Sequence, residues 1–186
     1  KGNLKPDETI KPLLDYVTFS FGYTALNELQ KLYNGKSIIE DGEFAIKVMK
    51  YLNDYVARIK EEDHILYAIY GTPAENLCHT AMKKFQQTYG VIPNVSDHEY
   101  FTNSMHVPVW KEMSPFDKID IEAELTGYSS AGCITYVEIS TGAKNNLEAL
   151  ETIVNYAMDK DIPYMALNLP NDTCLKCGYT DEFNDH

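Results

Sequence analysis

The sequence is short of positive charge: 16 Lys and Arg stand against 28 Asp and Glu, a formal net charge of −12. A surface with that balance is not built to neutralise a phosphate backbone, so nucleic acid as a polymeric partner is excluded first. No apolar run approaches the ~18–20 residues of a membrane-spanning helix, which argues against a membrane protein. No apolar stretch follows Lys1 and Lys5, so the start does not read as a signal peptide. Only four cysteines occur in 186 residues, too few to suggest a disulfide framework. Both features point to a reducing cytoplasm. A Pro/Gly-rich linker, an internal repeat and a low-complexity tract are also missing, so nothing divides the chain before Pro170. What is present is a core: 44% of the residues are hydrophobic and 12% aromatic, spread along a length that suits one ordinary domain.

Periodicity then places the elements. Residues 16–21 (YVTFSF) combine aromatic and β-branched types ahead of Gly22 and predict a strand. A helix is expected over 23–33, with Leu26, Leu29 and Leu32 on its apolar face and Asn34-Gly35 as its stop. A longer helix is expected over 42–62. Residues 65–70 (ILYAIY) form a nearly continuous apolar run, the pattern of a strand buried on both faces in a parallel sheet. Helices are expected over 74–88, 115–125 and 145–160, and further extended segments at 100–107, 133–139 and 163–168. Five strand-like segments separated by helices predict an α/β fold with a mostly parallel sheet.

Two local motifs carry chemistry. Cys174-Leu175-Lys176-Cys177-Gly178 places two thiols three positions apart, with glycine allowing the tight turn whose N–H groups face the sulfurs, which is half of a tetrahedral zinc site. A redox dithiol or two idle thiols are the competing readings, although no helix opens behind a thioredoxin-like strand here. The second motif is Thr72-Pro73-Ala74-Glu75-Asn76, where a buried strand turns through Gly71 into a helix. Free N–H groups and the helix dipole make such a turn able to hold phosphate without Lys or Arg. Alternatively Thr72 and Glu75 simply form a capping box. Cys78 and Cys133 read as buried, inert thiols, and His106 as a satisfied core or surface histidine.

Taken together, residues 16–28 (YVTFSFGYTALNE), 70–78 (YGTPAENLC), 100–109 (YFTNSMHVPV), 132–139 (GCITYVEI) and 168–179 (NLPNDTCLKCGY) resemble the anaerobic, class III ribonucleoside-triphosphate reductases in order and approximate spacing. The resemblance runs over nearly the whole chain. It implies a glycyl-radical oxidoreductase of deoxyribonucleotide synthesis with a ten-stranded α/β barrel, of which the five βα units would be the second half, residues 1–170. Residues 171–186 would then begin a zinc-binding segment, with Cys174 and Cys177 as the first pair of four cysteine ligands. Residues 72–76 would receive the phosphates of a ribonucleoside triphosphate. Formate as reductant, a separate radical-SAM activase, ATP binding at an N-terminal cone and a homodimer are implied for the parent protein. The second CxxC, the radical glycine and the thiyl-forming cysteine have no counterpart in this sequence, so the resemblance implies an inactive piece of a longer enzyme. A non-enzymatic α/β interaction module with a metal knuckle is the alternative.

Overall fold

A computed structural model describes residues 5, 7–14, 16–74, 76–169 and 172–181. A one-turn helix, α1 (Lys11–Leu14), leads into β1 (Thr18–Tyr23), followed by α2 (Leu26–Asn34), α3 (Glu43–Asp63) and β2 (Leu66–Gly71). Then come α4 (Asn76–Tyr89), α5 (Pro115–Thr126), β3 (Thr135–Glu138), a 3₁₀ turn (Thr141–Asn145), α6 (Leu147–Asp159) and β4 (Met165–Asn168). Two-residue strands β5 (Asp172–Thr173) and β6 (Thr180–Asp181) close an antiparallel hairpin around the CxxC.

β1 pairs with β2 in parallel, from Thr18 opposite Leu66 to Tyr23 opposite Gly71, and β3 pairs with β4 in parallel, from Thr135 opposite Met165 to Glu138 opposite Asn168. Helical crossovers join the partners of each pair, as parallel pairing requires. The pairs meet where the chain entering β3 runs along β2. Ala131 N donates to Ile69 O (2.7 Å), and Gly71 N donates to Gly132 O (2.9 Å). Ala68 and Ile69, which point to opposite faces, are both buried, as the apolar run predicts, whereas Leu66 at the start of the strand is exposed. No helix among the described residues is long and apolar enough to cross a membrane.

Gly71 is required by close approach. A Cβ there would lie 2.7 Å from Cys133 Cβ and 3.5 Å from Ser104 Cβ. Gly71→Ala is therefore expected to cost about 1–3 kcal/mol of stability through overpacking. Cys133→Gly in the same chain should recover part of that loss, a coupling read from a double-mutant cycle in urea.

Two expectations are corrected. Residues 100–107 are not a strand, so the parallel strands among the described residues number four and not five. The segment crosses the strand ends as a buried loop. Ala25 N donates to Thr102 O, Leu26 N to Ser104 O and His106 N to Asn103 O, so its backbone is spent on α2 and on a turn, not on a ladder. The face of α2 is also inverted. Leu26 is buried, but Leu29 and Leu32 are 42% and 48% exposed, while Asn27, Glu28 and Gln30 point inward. The reason is donor satisfaction: Asn27 Oδ1 accepts from Ile38 N (3.3 Å), and Gln30 Oε1 accepts from Ala45 N (2.9 Å), one of the free N–H groups of the first turn of α3.

Candidate functional site

The carboxyl ends of parallel strands are where α/β proteins gather functional groups. Here Cys78 of α4, which follows β2, the loop 100–110, Lys118 of α5 and the end of β3 surround a cleft of about 330 Å³ whose polar lining includes Cys78, Asn103, His106, Lys118, Tyr136 and Glu138. Tyr100 and Trp110 supply an aromatic wall, with Trp110 stacked on His98 at a centroid distance of 4.0 Å.

The loop 100–107 forms one side of the cleft, and a buried carboxylate shapes it. Glu28, 3% exposed, accepts from Thr102 N (3.2 Å), Thr102 Oγ1 (2.6 Å) and Asn27 Nδ2 (2.9 Å). A loop buried to this extent needs such partners, because each orphaned N–H costs about 1–3 kcal/mol. Next to it the Cys78 thiol donates to Asn103 Oδ1 (2.9 Å) and lies 3.0 Å from Thr24 Oγ1. Burial pushes the Cys78 thiol up, with the Thr24 contact opposing and the Glu28 charge adding to the rise. Burial likewise raises Cys133. Both cysteines are buried, as the sequence leads one to expect.

A chain of polar contacts runs from the cleft into the interior. His106 Nδ1 lies 3.4 Å from Glu122 Oε2, and Glu122 Oε1 accepts from Val107 N at 3.0 Å. Lys118 Nζ is 3.9 Å from Glu122 Oε1 and donates to Glu138 Oε2 at 2.9 Å. Glu122 is fully buried. At the end of β1, burial pushes Tyr23 up to about 12, against a hydrogen bond to Ser129 that lowers it and with further upward pushes from Cys133 and Glu122.

Thr72, Pro73 and Ala74 follow β2 as a half-buried loop, and the exposed Asn76 opens α4. Thr72 Oγ1 accepts from Ala74 N at 3.4 Å, a turn within the loop. Glu75, the other half of the expected capping box, lies outside the described residues. Ala74 packs with Cys78 and Phe101, so the loop adjoins the cleft wall.

Cys174 and Cys177 sit apart from the cleft lining, in the hairpin of β5 and β6. Cys174 N donates to Tyr179 O, Gly178 N donates to Cys174 O, and Gly178 takes a φ of +73° that favours glycine. The N–H groups of Cys177 and Lys176, then the Cys177 side chain, hold the Cys174 thiol below its ordinary range. Inward N–H groups and a favoured thiolate suit a metal knuckle. Among the described residues no three His, Cys, Asp or Glu side chains come together to hold an ion. His186, the remaining downstream candidate, lies outside the described residues.

Sequence reasoning did not find Glu28, Glu122, Lys118 or Glu138. Lys118 and Glu122 stand one helical turn apart on α5, but the partners that place the four at the cleft, Thr102 for Glu28, His106 and Val107 for Glu122, and Glu138 for Lys118, come from other elements.

The family model described as anaerobic ribonucleoside-triphosphate reductase matches residues 1–185. The chain belongs to this family. Among curated relatives, the anaerobic ribonucleoside-triphosphate reductase of Haemophilus influenzae is 35% identical over 97% of this chain, and that of Enterobacteria phage T4 is 34% identical over 96%. The chain spans only 26% and 28% of those two relatives. A solved anaerobic ribonucleotide reductase superposes with a TM-score of 0.73 at 19% identity, covering 92% of this chain and 27% of that one. The Thermotoga maritima anaerobic ribonucleotide reductase in complex with dATP and CTP gives 0.64 at 16% identity, over 88% of this chain and 27% of that one. The shared fold is thus a mixed α/β arrangement seen in reductases of the family, over about a quarter of their length.

Proposed function

We propose that this chain is part of an anaerobic ribonucleoside-triphosphate reductase, with residues 1–170 as the second half of its ten-stranded catalytic barrel and residues 171–186 as the start of its zinc segment. The observation that carries the reading is the cleft at the strand ends, flanked by the 72–76 loop. On this reading the loop and the N-terminus of α4 hold the triphosphate of a ribonucleotide, and the cleft receives the sugar. Backbone N–H groups and the helix dipole neutralise phosphate charge there, which is compatible with a chain of net charge −12. Pro73 stiffens the loop and Ala74 ties it to the cleft wall. The Thermotoga maritima protein was crystallised with dATP and CTP, a precedent for nucleoside triphosphates as ligands.

A glycyl radical from outside this chain would supply one-electron chemistry in the parent enzyme, activated by a radical-SAM partner. Formate is the reductant, the parent is a cytoplasmic homodimer, and Cys174 and Cys177 are two of its zinc ligands. The residues of this chain bind, orient and exclude water: Tyr100 and Trp110 close one side of the cleft, and the Lys118–Glu138 pair closes another.

Thr72→Val in the full-length protein is expected to weaken binding of ribonucleoside triphosphate about tenfold, the worth of one hydrogen bond to a charged group. Isothermal titration with a ribonucleotide measures it, and unchanged affinity would remove the phosphate role of this loop.

A further inference from the structure

We infer that His106 is the residue of the cleft that hydrogen-bonds a ribose hydroxyl of the nucleotide, and that Glu122 is the positioning residue that aims it. This rests on the proposed nucleotide reading of the cleft and adds the group that tells ribose from deoxyribose. The side chain of His106 is 9% exposed and lines the cleft. Nδ1 faces Glu122, and since a carboxylate only accepts, Nδ1 carries the hydrogen of that contact. Nε2, across the ring, has no hydrogen-bond partner among the described residues. In the neutral ring it is an acceptor whose direction is set by Glu122, in the way that a bound carboxylate orients an imidazole elsewhere. Tyr136 packs obliquely against the ring, with centroids 5.7 Å apart, and limits its rotation.

Several neighbouring polar groups are already engaged. Lys118 and Glu138 bind one another, and the Cys78 thiol donates to Asn103 Oδ1. His106 Nε2 therefore stands out as a polar atom on a nearly buried side chain, oriented from behind by a fully buried carboxylate. A site that offers such an atom to a hydroxyl rejects the ligand that lacks it, because the atom is then left unpaired.

The test uses the full-length protein without activation, so that no turnover is needed. With dATP held saturating, CTP and 2′-deoxy-CTP are titrated, the first two being the nucleotides found together in the Thermotoga maritima structure. The unaltered protein is expected to bind CTP about tenfold more tightly than 2′-deoxy-CTP. His106→Asn keeps an amide near Nδ1 facing Glu122 but places nothing at Nε2, and His106→Phe keeps only the ring. Both should bring the ratio to within about twofold with the 2′-deoxy-CTP affinity retained, while His106→Gln, whose amide reaches the Nε2 position, keeps most of the preference. Glu122→Gln should reduce the ratio about threefold by loosening the ring. A ratio of one in the unaltered protein, or an unchanged ratio in His106→Asn or His106→Phe, overturns the inference. Absence of CTP binding altogether would instead overturn the nucleotide reading on which it rests.

Discussion

Replacing Glu122 with leucine is expected to lower stability by about 3–5 kcal/mol, the cost of removing one partner from a buried charged pair. The side chain is fully buried, so water cannot take its place. Its loss leaves Val107 N without its 3.0 Å acceptor, takes the 3.4 Å partner from His106 Nδ1 and takes one of two carboxylates from Lys118. Lys118 keeps Glu138 at 2.9 Å, which holds the loss at the lower part of the range. Glu122→Gln preserves an acceptor for Val107 N and should cost less, about 1–2 kcal/mol. Urea unfolding followed by far-ultraviolet circular dichroism gives both values. A leucine variant as stable as the unaltered protein would show that these charges are not what holds the 100–107 loop to α5.

Replacing Cys174 with serine is expected to abolish zinc binding in the full-length protein, from about one ion per subunit to none, because a structural site stands or falls with its four ligands. Atomic absorption after dialysis measures it, and Cys78→Ser serves as the control that should retain the metal. The same geometry predicts reactivity in the absence of metal. N–H groups from Cys177 and Lys176 lower the Cys174 thiol, whereas burial raises Cys78 and Cys133. The attacking species is the thiolate, so as the pH rises from about 6 to 8 iodoacetamide should modify Cys174 before either buried cysteine. Equal rates, or zinc retained in Cys174→Ser, would count against the knuckle.

The helices were the most legible part of the fold. The apolar stripe over 42–62 became α3 (Glu43–Asp63), and Ser114-Pro115 opened α5, with Ser114 Oγ accepting from Asp117 N at 3.1 Å. These signals are local, resting on 3.6-residue periodicity and on the free N–H groups of a first turn. The reading failed where a distant partner decided. On α2 the leucine spacing pointed one way, but the N–H groups of Ile38 and Ala45 needed acceptors and turned Asn27 and Gln30 inward. Residues 100–107 have strand-like composition, yet their backbone found partners in α2 and in a turn, and no ladder formed.

The candidate site divides in the same way. The CxxC and the 72–76 turn were visible because each is a short string whose chemistry lies in its own spacing. The bond between Glu28 and Thr102 and the contact between His106 and Glu122 join residues 74 and 16 positions apart, and no periodicity marks them. The sequence by itself therefore determined the class of the fold, the positions of most elements, the family and the two local motifs, since all of these follow from neighbours within a few residues or from an ordered set of strings. Only the tertiary structure decided which polar groups are buried and which of them meet. A buried carboxylate survives only where donors from other elements converge on it, and that convergence is a property of the packed chain.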